Sequence, residues 1–411
     1  MVTTPSADAV ADGPRRLRLL QLAALTSTCD RFAIAPLLVP IAMSFGVPLA
    51  ATAGAAGGYF LAYGLMQVVW GVLSDRIGRV RVMRIALIGA VLGGLASVLA
   101  PTLPVLIGAR TLTGACTAAL IPATLVYVGD SWPAAVRQRP LSDLLAATAV
   151  GTALATAGAG LLADLAGWRA VFATTAAAAG ILLVALRALP EPVPAEPAAG
   201  ATAPDGPRRW WSILRPVGTV LGTGWARVVL ALAFVEGAVV LGVLTYLAPA
   251  LQAGGSTAAL AGIAAGGYGV GALVFSRVVR RLVGRVPAPG LAGIGGVFLA
   301  AAWIGPIVVV HPVTIALAGL LLGGSWAFLH STLQTWATDV VPQARATAVA
   351  LFATALFLGS SAGTALGAPL ADTGRFPALF LAALVVSVPL GIGAALARAR
   401  YARRRPPGTQ T

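Results

Sequence analysis

Residues 71–79 read GVLSDRIGR, and this stretch decides how the rest of the sequence is interpreted. It is short and charged, it contains two glycines, and it separates two apolar runs at 51–73 and 82–100. About 20 apolar residues of helix cross the core of a bilayer, so each run is long enough to span a membrane. The stretch is therefore predicted to be a loop that joins two transmembrane helices, with Asp75 at its centre.

The composition extends this interpretation to the whole chain. The 411 residues are 58% hydrophobic and only 10% charged, which excludes a soluble domain of this size. At one span and a short loop for about every 34 residues, the chain holds about twelve spans. Apolar runs bounded by charged residues, Pro or Gly predict an all-α membrane protein with transmembrane helices at 19–43, 51–73, 82–100, 103–128, 142–163, 170–188, 228–250, 257–276, 289–310, 313–337, 346–369 and 376–397.

The 28 basic residues are all arginines, and their placement predicts the orientation. With the N-terminus inside, nearly all of them fall in cytoplasmic segments, including the tail at 398–411. This positive-inside bias requires twelve spans, because an eleven-span arrangement would place that tail outside. We therefore expect a multi-pass protein of the cell (inner or plasma) membrane with both termini cytoplasmic. The loops account for the net charge of +15, and no nucleic-acid partner is expected.

Two halves of the sequence resemble each other at an offset of 206–209 residues. Gly78-Arg79-Val80 matches Gly284-Arg285-Val286, and Leu162-Ala163-Asp164 matches Leu370-Ala371-Asp372. These matches lie at corresponding span ends and indicate a duplicated six-helix unit. An even number of spans in each unit gives two parallel six-helix bundles with a cavity between them.

The domain prediction follows from this duplication. The segment 191–207 is rich in Pro and Ala and indicates a flexible linker, and the RRWW sequence at 208–211 is typical of a segment at the lipid headgroups. The predicted units are an N-terminal cytoplasmic tail, the first bundle, a cytoplasmic linker with its interfacial segment, the second bundle and an Arg-rich cytoplasmic tail, at 1–18, 19–190, 191–227, 228–397 and 398–411.

The stretch 71–79 also fits the pattern G-x-L-x-D-R-x-G-R, and the chain thereby resembles the major facilitator superfamily over its whole length, in particular the drug/proton antiporter-like branch. The resemblance implies secondary transport by alternating access, with protons and a small molecule as the partners. It implies a set of gating residues, namely Gly71, Asp75, Arg76, Gly78, Arg79 and Asp130. In span five, family antiporters carry Gly-Pro and Gly-Gly where this chain has Ala155-Thr156 and Ala159-Gly160, so the sequence leaves the direction of transport open.

Electrostatics supplies a reason for the gating residues. Asp75 can contact the positive N-terminal end of a helix in the other half, while the arginines pair with nearby acids such as Asp130. Breaking this contact would let the halves rock and the cavity change sides. The second copy of the motif, at 281–285, has no acid and is expected to stabilise less.

Charged residues inside the predicted spans are candidates for proton coupling. Asp30 and Arg31 lie about 16 Å deep in the first span and point about 100° apart, so each needs another partner. Arg110 resembles the arginine that assists proton transfer in the family's fourth span, and we expect an Asp30–Arg110 pair, which is either a proton switch or a static structural pair.

The second half carries one acid within its predicted spans, Glu236, with His330 and Gln334 as further polar residues. Burial favours the protonated form of an acid, so Glu236 suits proton or cation binding, with Arg31 as an alternative counter-ion. Trp326, His330 and Gln334 share one helical face and, together with Arg31, are the candidate residues of the substrate cavity, although a histidine bonded between helices fits equally well.

These observations predict a secondary transporter that exports a small organic or drug-like molecule, lipophilic or cationic, in exchange for protons. Proton-coupled uptake, facilitated diffusion of a metabolite and a non-transporting receptor are the alternatives. We expect no catalytic residues, metal site or cofactor, because no nucleotide-binding loop and no second His at ligand spacing is found in the sequence. A monomer is expected.

Overall fold

The computed structural model describes residues 13–133, 135–192 and 211–404, with the backbone alone for 211–214. Within these ranges the fold is all-helical and contains no β-strand. Twelve helices are long and apolar enough to cross a membrane. Spans 1 to 12 comprise Gly13–Phe45, Leu49–Ile77, Arg79–Leu99, Leu103–Ser131, Gln138–Ala166, Trp168–Ala188, Gly224–Ala253, Ala258–Leu282, Ala288–Val308, Pro312–Val340, Pro342–Asp372 and Phe376–Arg403.

The predicted fold class and the number of spans are confirmed. Most spans are longer than predicted, because helices continue past the apolar run into polar residues, as span 5 does from Gln138. The short polar break between spans 9 and 10 is real. Span 9 ends at Val308, and His311 caps span 10 by accepting a hydrogen bond from the backbone N–H of Val313 at 3.3 Å.

Seven of the described spans are not a single α-helix. Spans 6 and 11 have a 3₁₀ turn at one end, span 8 breaks at Gly266, and spans 1, 4, 7 and 10 are irregular within their length. Span 1 contains a 3₁₀ turn at Ala35–Leu37, and span 4 is interrupted between its segments Leu103–Thr117 and Leu120–Ser131. Spans 7 and 10 contain π-helical turns at Ala238–Gly242 and Trp326–His330. Spans 1, 4, 7 and 10 are the first and fourth helices of the two halves. Irregular backbone inside a membrane is tolerated where protein or a cavity surrounds it, and π-turns often lie at functional sites.

Two pairs of spans join the halves, span 2 with span 11 and span 5 with span 8. Small residues allow these helices to approach closely. A Cβ atom on Gly64 would lie 3.2 Å from the carbonyl oxygen of Thr354, and a Cβ atom on Gly262 would lie 2.2 Å from that of Thr156. The Thr354 hydroxyl also donates a hydrogen bond to the Gly64 carbonyl at 2.9 Å.

Large apolar side chains are exposed along the spans, for example Leu92, Ile181, Val297 and Leu366. Lipid contact accounts for this exposure, since a water-soluble protein rarely exposes so much apolar surface. The predicted linker and interfacial segment lie largely outside the described residues, which resume with a helix at Trp211–Gly222. Residues 1–12 and 405–411 of the predicted tails also lie outside them.

Candidate functional site

The loop of residues 71–79 is organised around Arg79. Its guanidinium binds the Asp75 carboxylate at 2.5 Å and the Asp130 carboxylate at 3.1 Å, and it donates to the Ser74 hydroxyl at 3.2 Å. These partners belong to the first half. The Asp75 side chain is 56% exposed and, among the described residues, bonds to Arg79 instead of to a helix end of the second half. The contact between halves predicted for Asp75 is therefore absent in this conformation.

The other predicted loop residues have unequal surroundings. Arg76 is exposed, and a Cβ atom on Gly71 would meet nothing within 4 Å. Gly78 has a φ of +105°, which favours glycine, and a Cβ atom there would lie 2.5 Å from Glu191 Oε1. The Glu191 carboxylate accepts hydrogen bonds from the backbone N–H groups of Val80 at 3.1 Å and Arg81 at 3.3 Å. It thus caps span 3, a role that the composition of the predicted linker did not reveal.

At the opposite end of the bundle, two aspartates bridge the halves. Asp164, at the end of span 5, accepts hydrogen bonds from the backbone N–H groups of Ala258 at 3.1 Å and Ala259 at 2.8 Å, where span 8 begins. Asp372, at the end of span 11, accepts one from the N–H of Ala50 in span 2 at 3.2 Å. These are the two acids of the duplicated Leu-Ala-Asp motif. Each binds the positive N-terminal end of a helix in the other half, so the halves are held together at this end.

Asp30 and Arg110 form a buried pair between spans 1 and 4. The guanidinium contacts Asp30 Oδ1 at 2.9 Å, Oδ2 at 3.1 Å and the Asp30 carbonyl oxygen at 2.9 Å. The Arg110 side chain is fully buried and lies against the rings of Tyr59 and Phe172, with centroids at 4.9 and 4.7 Å. The structure thus brings together the two residues that the sequence paired, and both carboxylate oxygens of Asp30 are occupied.

Glu236 is fully buried in span 7 and bonds to His330 of span 10, with Oε2 and Nδ1 3.2 Å apart. Its other oxygen, Oε1, is buried and has no hydrogen-bond partner among the described residues. Arg31, the alternative counter-ion, forms no ion pair with it. Glu236 lies 206 residues after Asp30, the same offset that relates Gly78 to Gly284. The two acids thus lie in the first span of their respective halves, and the offset is the sequence signal that could have shown this.

The predicted wall of Trp326, His330 and Gln334 is only partly assembled. The Trp326 and His330 rings stack within the π-turn, with centroids 3.5 Å apart and planes inclined by 10°. Trp326 also contacts the Tyr268 ring edge-on at 6.2 Å. Gln334 is exposed one turn further on and does not join this cluster.

Arg31 lies at a small cavity between the halves. The cavity has a volume of about 10 Å³, and its lining includes Phe32, Phe60 and Thr156 of the first half and Leu241, Thr245 and Tyr268 of the second. The volume is close to that of a single water site. Among the residues that the structure describes, no group of three or more His, Cys, Asp or Glu side chains is placed to hold a metal ion.

A sequence model of the Major Facilitator Superfamily matches residues 20–364. The chain belongs to the Major Facilitator Superfamily. It is a membrane transporter, and members of this family bind small-molecule substrates. The loop at 71–79 and the twelve spans are thereby placed in a family whose structures share this fold.

Similar curated proteins match a part of the chain. A triacylglyceride transporter of Mycobacteroides abscessus is 30% identical over 155 residues, which cover 37% of this chain and 30% of the relative. A triacylglyceride transporter of Mycolicibacterium hassiacum is 31% identical over 32% of this chain and 25% of the relative. A quinolone resistance protein of Staphylococcus aureus is 30% identical over 31% of this chain and 28% of the relative. The matches thus span under a third of these relatives.

Solved structures of transporters share the fold along nearly the whole chain. A bacterial homologue of the human lysosomal transporter Spinster, inward-facing and unoccupied, has a TM-score of 0.75 and 17% identity, covering 98% of this chain and all of the other. A D-xylose–proton symporter has a TM-score of 0.70 and 19% identity, covering 92% and 95%. At these identities the likeness shows the fold of this superfamily member and not its substrate.

Proposed function

We propose that this transporter exports a small organic, drug-like molecule in exchange for protons, by alternating access. The observation that carries the proposal is the Glu236–His330 pair, because a buried carboxylate with one free oxygen beside an imidazole can take up and release a proton without losing its only partner. A carboxyl group and an imidazole can each carry a proton, so the pair can hold one proton more or less while it stays hydrogen-bonded.

Asp30 is the less suitable proton carrier of the two acids. Arg110 keeps its charge at all physiological pH values and binds both Asp30 oxygens and the backbone carbonyl. A proton on Asp30 would leave the guanidinium without a counter-charge at a fully buried position, which is costly. We therefore assign Asp30 and Arg110 the static role that the sequence left open, and Glu236 the coupling role.

The Glu236–His330 pair is connected to the cavity by ring contacts. His330 stacks on Trp326, Trp326 contacts Tyr268, and Tyr268 lines the cavity next to Arg31. A change in the charge of the pair should thus alter the electrostatic potential at the cavity wall, because the aromatic side chains between them form a region of low dielectric constant. This contact path is what would link proton binding to substrate binding.

Export is favoured over uptake or facilitated diffusion by the names of similar proteins. A relative is named for quinolone resistance and others for triacylglyceride transport. Both names describe organic molecules with a large apolar part, in keeping with the apolar and aromatic lining of the cavity.

The proposal is tested with purified protein in liposomes that have an acidic lumen, using norfloxacin, a fluorescent quinolone, as the transported probe. An exchanger should accumulate the probe in these vesicles beyond the level in protein-free liposomes, and a protonophore should abolish the difference. Glu236→Gln should lose accumulation driven by the pH gradient while it retains exchange of probe at equal pH on both sides. His311→Gln, a change at the exposed histidine that caps span 10, is the matched control for His330→Gln.

Two results would contradict the proposal. Accumulation that survives the protonophore would remove proton coupling. Gradient-driven accumulation retained by Glu236→Gln but lost by Asp30→Asn, at equal amounts of folded protein, would return the coupling role to Asp30.

A further inference from the structure

The inter-half cavity contains a cation that has no acid beside it. Arg31 forms no ion pair with any described acid, and its Nε atom is buried without a hydrogen-bond partner. Its neighbour Asp30 points away and is bound by Arg110. Glu236 is hydrogen-bonded to His330. Each nearby carboxylate is therefore engaged elsewhere.

Aromatic rings surround the Arg31 guanidinium. Its central carbon lies 4.9 Å from the ring centroid of Phe32, 5.3 Å from that of Tyr63 and 5.4 Å from that of Phe357. Ring faces attract a cation and hold the guanidinium in place, but they accept none of its N–H groups as a carboxylate does. The side chain is thus positioned and still has donors to offer.

The threonine hydroxyl groups of the cavity do not compete with Arg31 for an anion. The hydroxyl groups of Thr152, Thr156 and Thr245 each donate to the backbone carbonyl one helical turn earlier, at 3.0, 3.1 and 3.0 Å. They offer lone pairs, whereas an anion requires donors. Arg31 is consequently the charged donor of this cavity, and the remaining lining is apolar or aromatic.

We propose that the cavity binds an organic anion, with Arg31 binding the carboxylate or sulfonate group of the transported molecule and the rings of Phe32, Phe60 and Tyr268, which line the cavity, contacting its apolar body. This deepens the proposed export function and rests on it. It replaces the cationic cargo expected from the sequence, because an unpaired guanidinium repels a cation. The cavity of about 10 Å³ is lined by both halves, so it enlarges when they move apart, as alternating access requires.

A pair of matched probes tests the charge requirement. We expect 2-naphthoate to bind the purified protein in neutral detergent at least about tenfold more tightly than 2-naphthamide, which has the same ring system without the charge. Isothermal titration calorimetry gives both affinities. Arg31→Gln should reduce naphthoate binding to the level of naphthamide. Arg31→Lys should give an intermediate affinity, because a lysine keeps the charge but loses the planar pair of donors.

Arg169→Gln is the matched control. Arg169 also lies over a ring, that of Trp168 at 4.0 Å, but it binds the backbone carbonyls of Val98 and Ala100 and does not line the cavity. Its removal should leave naphthoate binding unchanged. Size-exclusion profiles verify that each variant is folded.

Equal wild-type affinities for naphthoate and naphthamide, absence of naphthoate binding, or unchanged naphthoate binding by Arg31→Gln would each overturn the proposal. The outcome is separable from that of the proton-coupling experiment. If naphthoate binds through Arg31 and the pH gradient drives no transport, the coupling proposal alone fails. If gradient-driven transport depends on Glu236 while naphthamide binds as well as naphthoate, the anion site alone fails.

Discussion

Each half places a buried carboxylate in its first span and gives it a different partner. Asp30 of span 1 is bound on both oxygens by Arg110 of span 4. Glu236 of span 7 shares one hydrogen bond with His330 of span 10 and keeps one oxygen free. Each half thus carries a buried acid in its first span, and the partner from the fourth span of that half decides the chemistry of the acid. A permanent cation makes a static pair, whereas an imidazole makes a pair that can exchange protons.

The two halves are also less alike at one end of the molecule than at the other. At the loop end the halves differ, because Gly78 is covered by Glu191 and flanked by Asp75, while its equivalent Gly284 has a φ of +83° and meets nothing within 4 Å. At the opposite end they agree, since Asp164 and Asp372 both cap a helix of the other half. The loop end is therefore specialised in one half, and the opposite end keeps the symmetry of the duplication.

The largest expected effect concerns the static pair. Asp30→Asn leaves Arg110 buried without its counter-charge and should lower the free energy of unfolding by about 3–5 kcal/mol, whereas Glu236→Gln, which removes no such partner, should cost far less. Thermal denaturation of the two purified variants in the same detergent compares them directly.

A double variant provides the control for that experiment. Asp30→Asn combined with Arg110→Gln removes both charges and should recover part of the lost stability. Equal stability losses for Asp30→Asn and Glu236→Gln would break the comparison between the two pairs.

The next effect concerns the loop that is specialised in the first half. Asp75→Asn should leave folding and insertion nearly intact, because Asp75 is largely exposed. It should slow transport severalfold if, as we propose, Asp75 exchanges Arg79 for a helix end of the second half during transport. Arg285→Gln in the second copy, which has no acid beside it, should have little effect on the rate. Initial rates in proteoliposomes at equal protein content provide the test. A wild-type rate for Asp75→Asn would contradict a gating role for Asp75 and leave the loop only its effect on the orientation of the spans.

The smallest effects are expected at the symmetric end. Asp164→Asn and Asp372→Asn should each weaken a contact between a carboxylate and a helix N-terminus by about 0.3–1 kcal/mol. Asp164 should matter more, since it accepts two backbone hydrogen bonds and Asp372 accepts one.

Cysteine labelling can measure whether the two halves separate at this end when the aspartate contacts are weakened. A single cysteine at Ala253, which lines a cleft at that end, is introduced after Cys29 and Cys116 are replaced by serine. Both aspartate variants should react faster with an impermeant maleimide than the parent. An acceleration in one variant only would show that the two contacts are not equivalent.

The twelve spans and the Asp30–Arg110 pair could be predicted from the sequence for physical reasons. Hydropathy reports directly which segments lie in lipid, and an acid at membrane depth such as Asp30 is costly unless a cation such as Arg110 lies beside it. The Glu236–His330 pair was not predicted, because it joins residues 94 positions apart, and the spacing within one helix does not show which faces of spans 7 and 10 meet. Regular helical spacing grouped His330 with Gln334, which the structure leaves exposed.

Hydrogen bonds from backbone N–H groups to distant carboxylate side chains could also not be predicted from the sequence. The duplicated Leu-Ala-Asp motif was recognised, but its capping of helices in the other half requires knowledge of which spans are adjacent. Glu191 was assigned to the linker by composition, although it binds the first turn of span 3. Such contacts join segments more than 90 residues apart and leave no local pattern.

The glycines between spans 7 and 11 allow the backbones of these two helices to touch, so we expect the two helices to move together. A Cβ atom on Gly237 or on Gly359 would lie 1.8 Å from a carbonyl oxygen of the facing helix, and one on Gly363 would lie 2.3 Å from that of Ala238. Backbones in such contact cannot slide independently. Glu236 immediately precedes Gly237, and span 11 also packs along span 2 of the other half. We therefore expect a displacement of span 7 at Glu236 to move span 11 and to change the contact between the two halves.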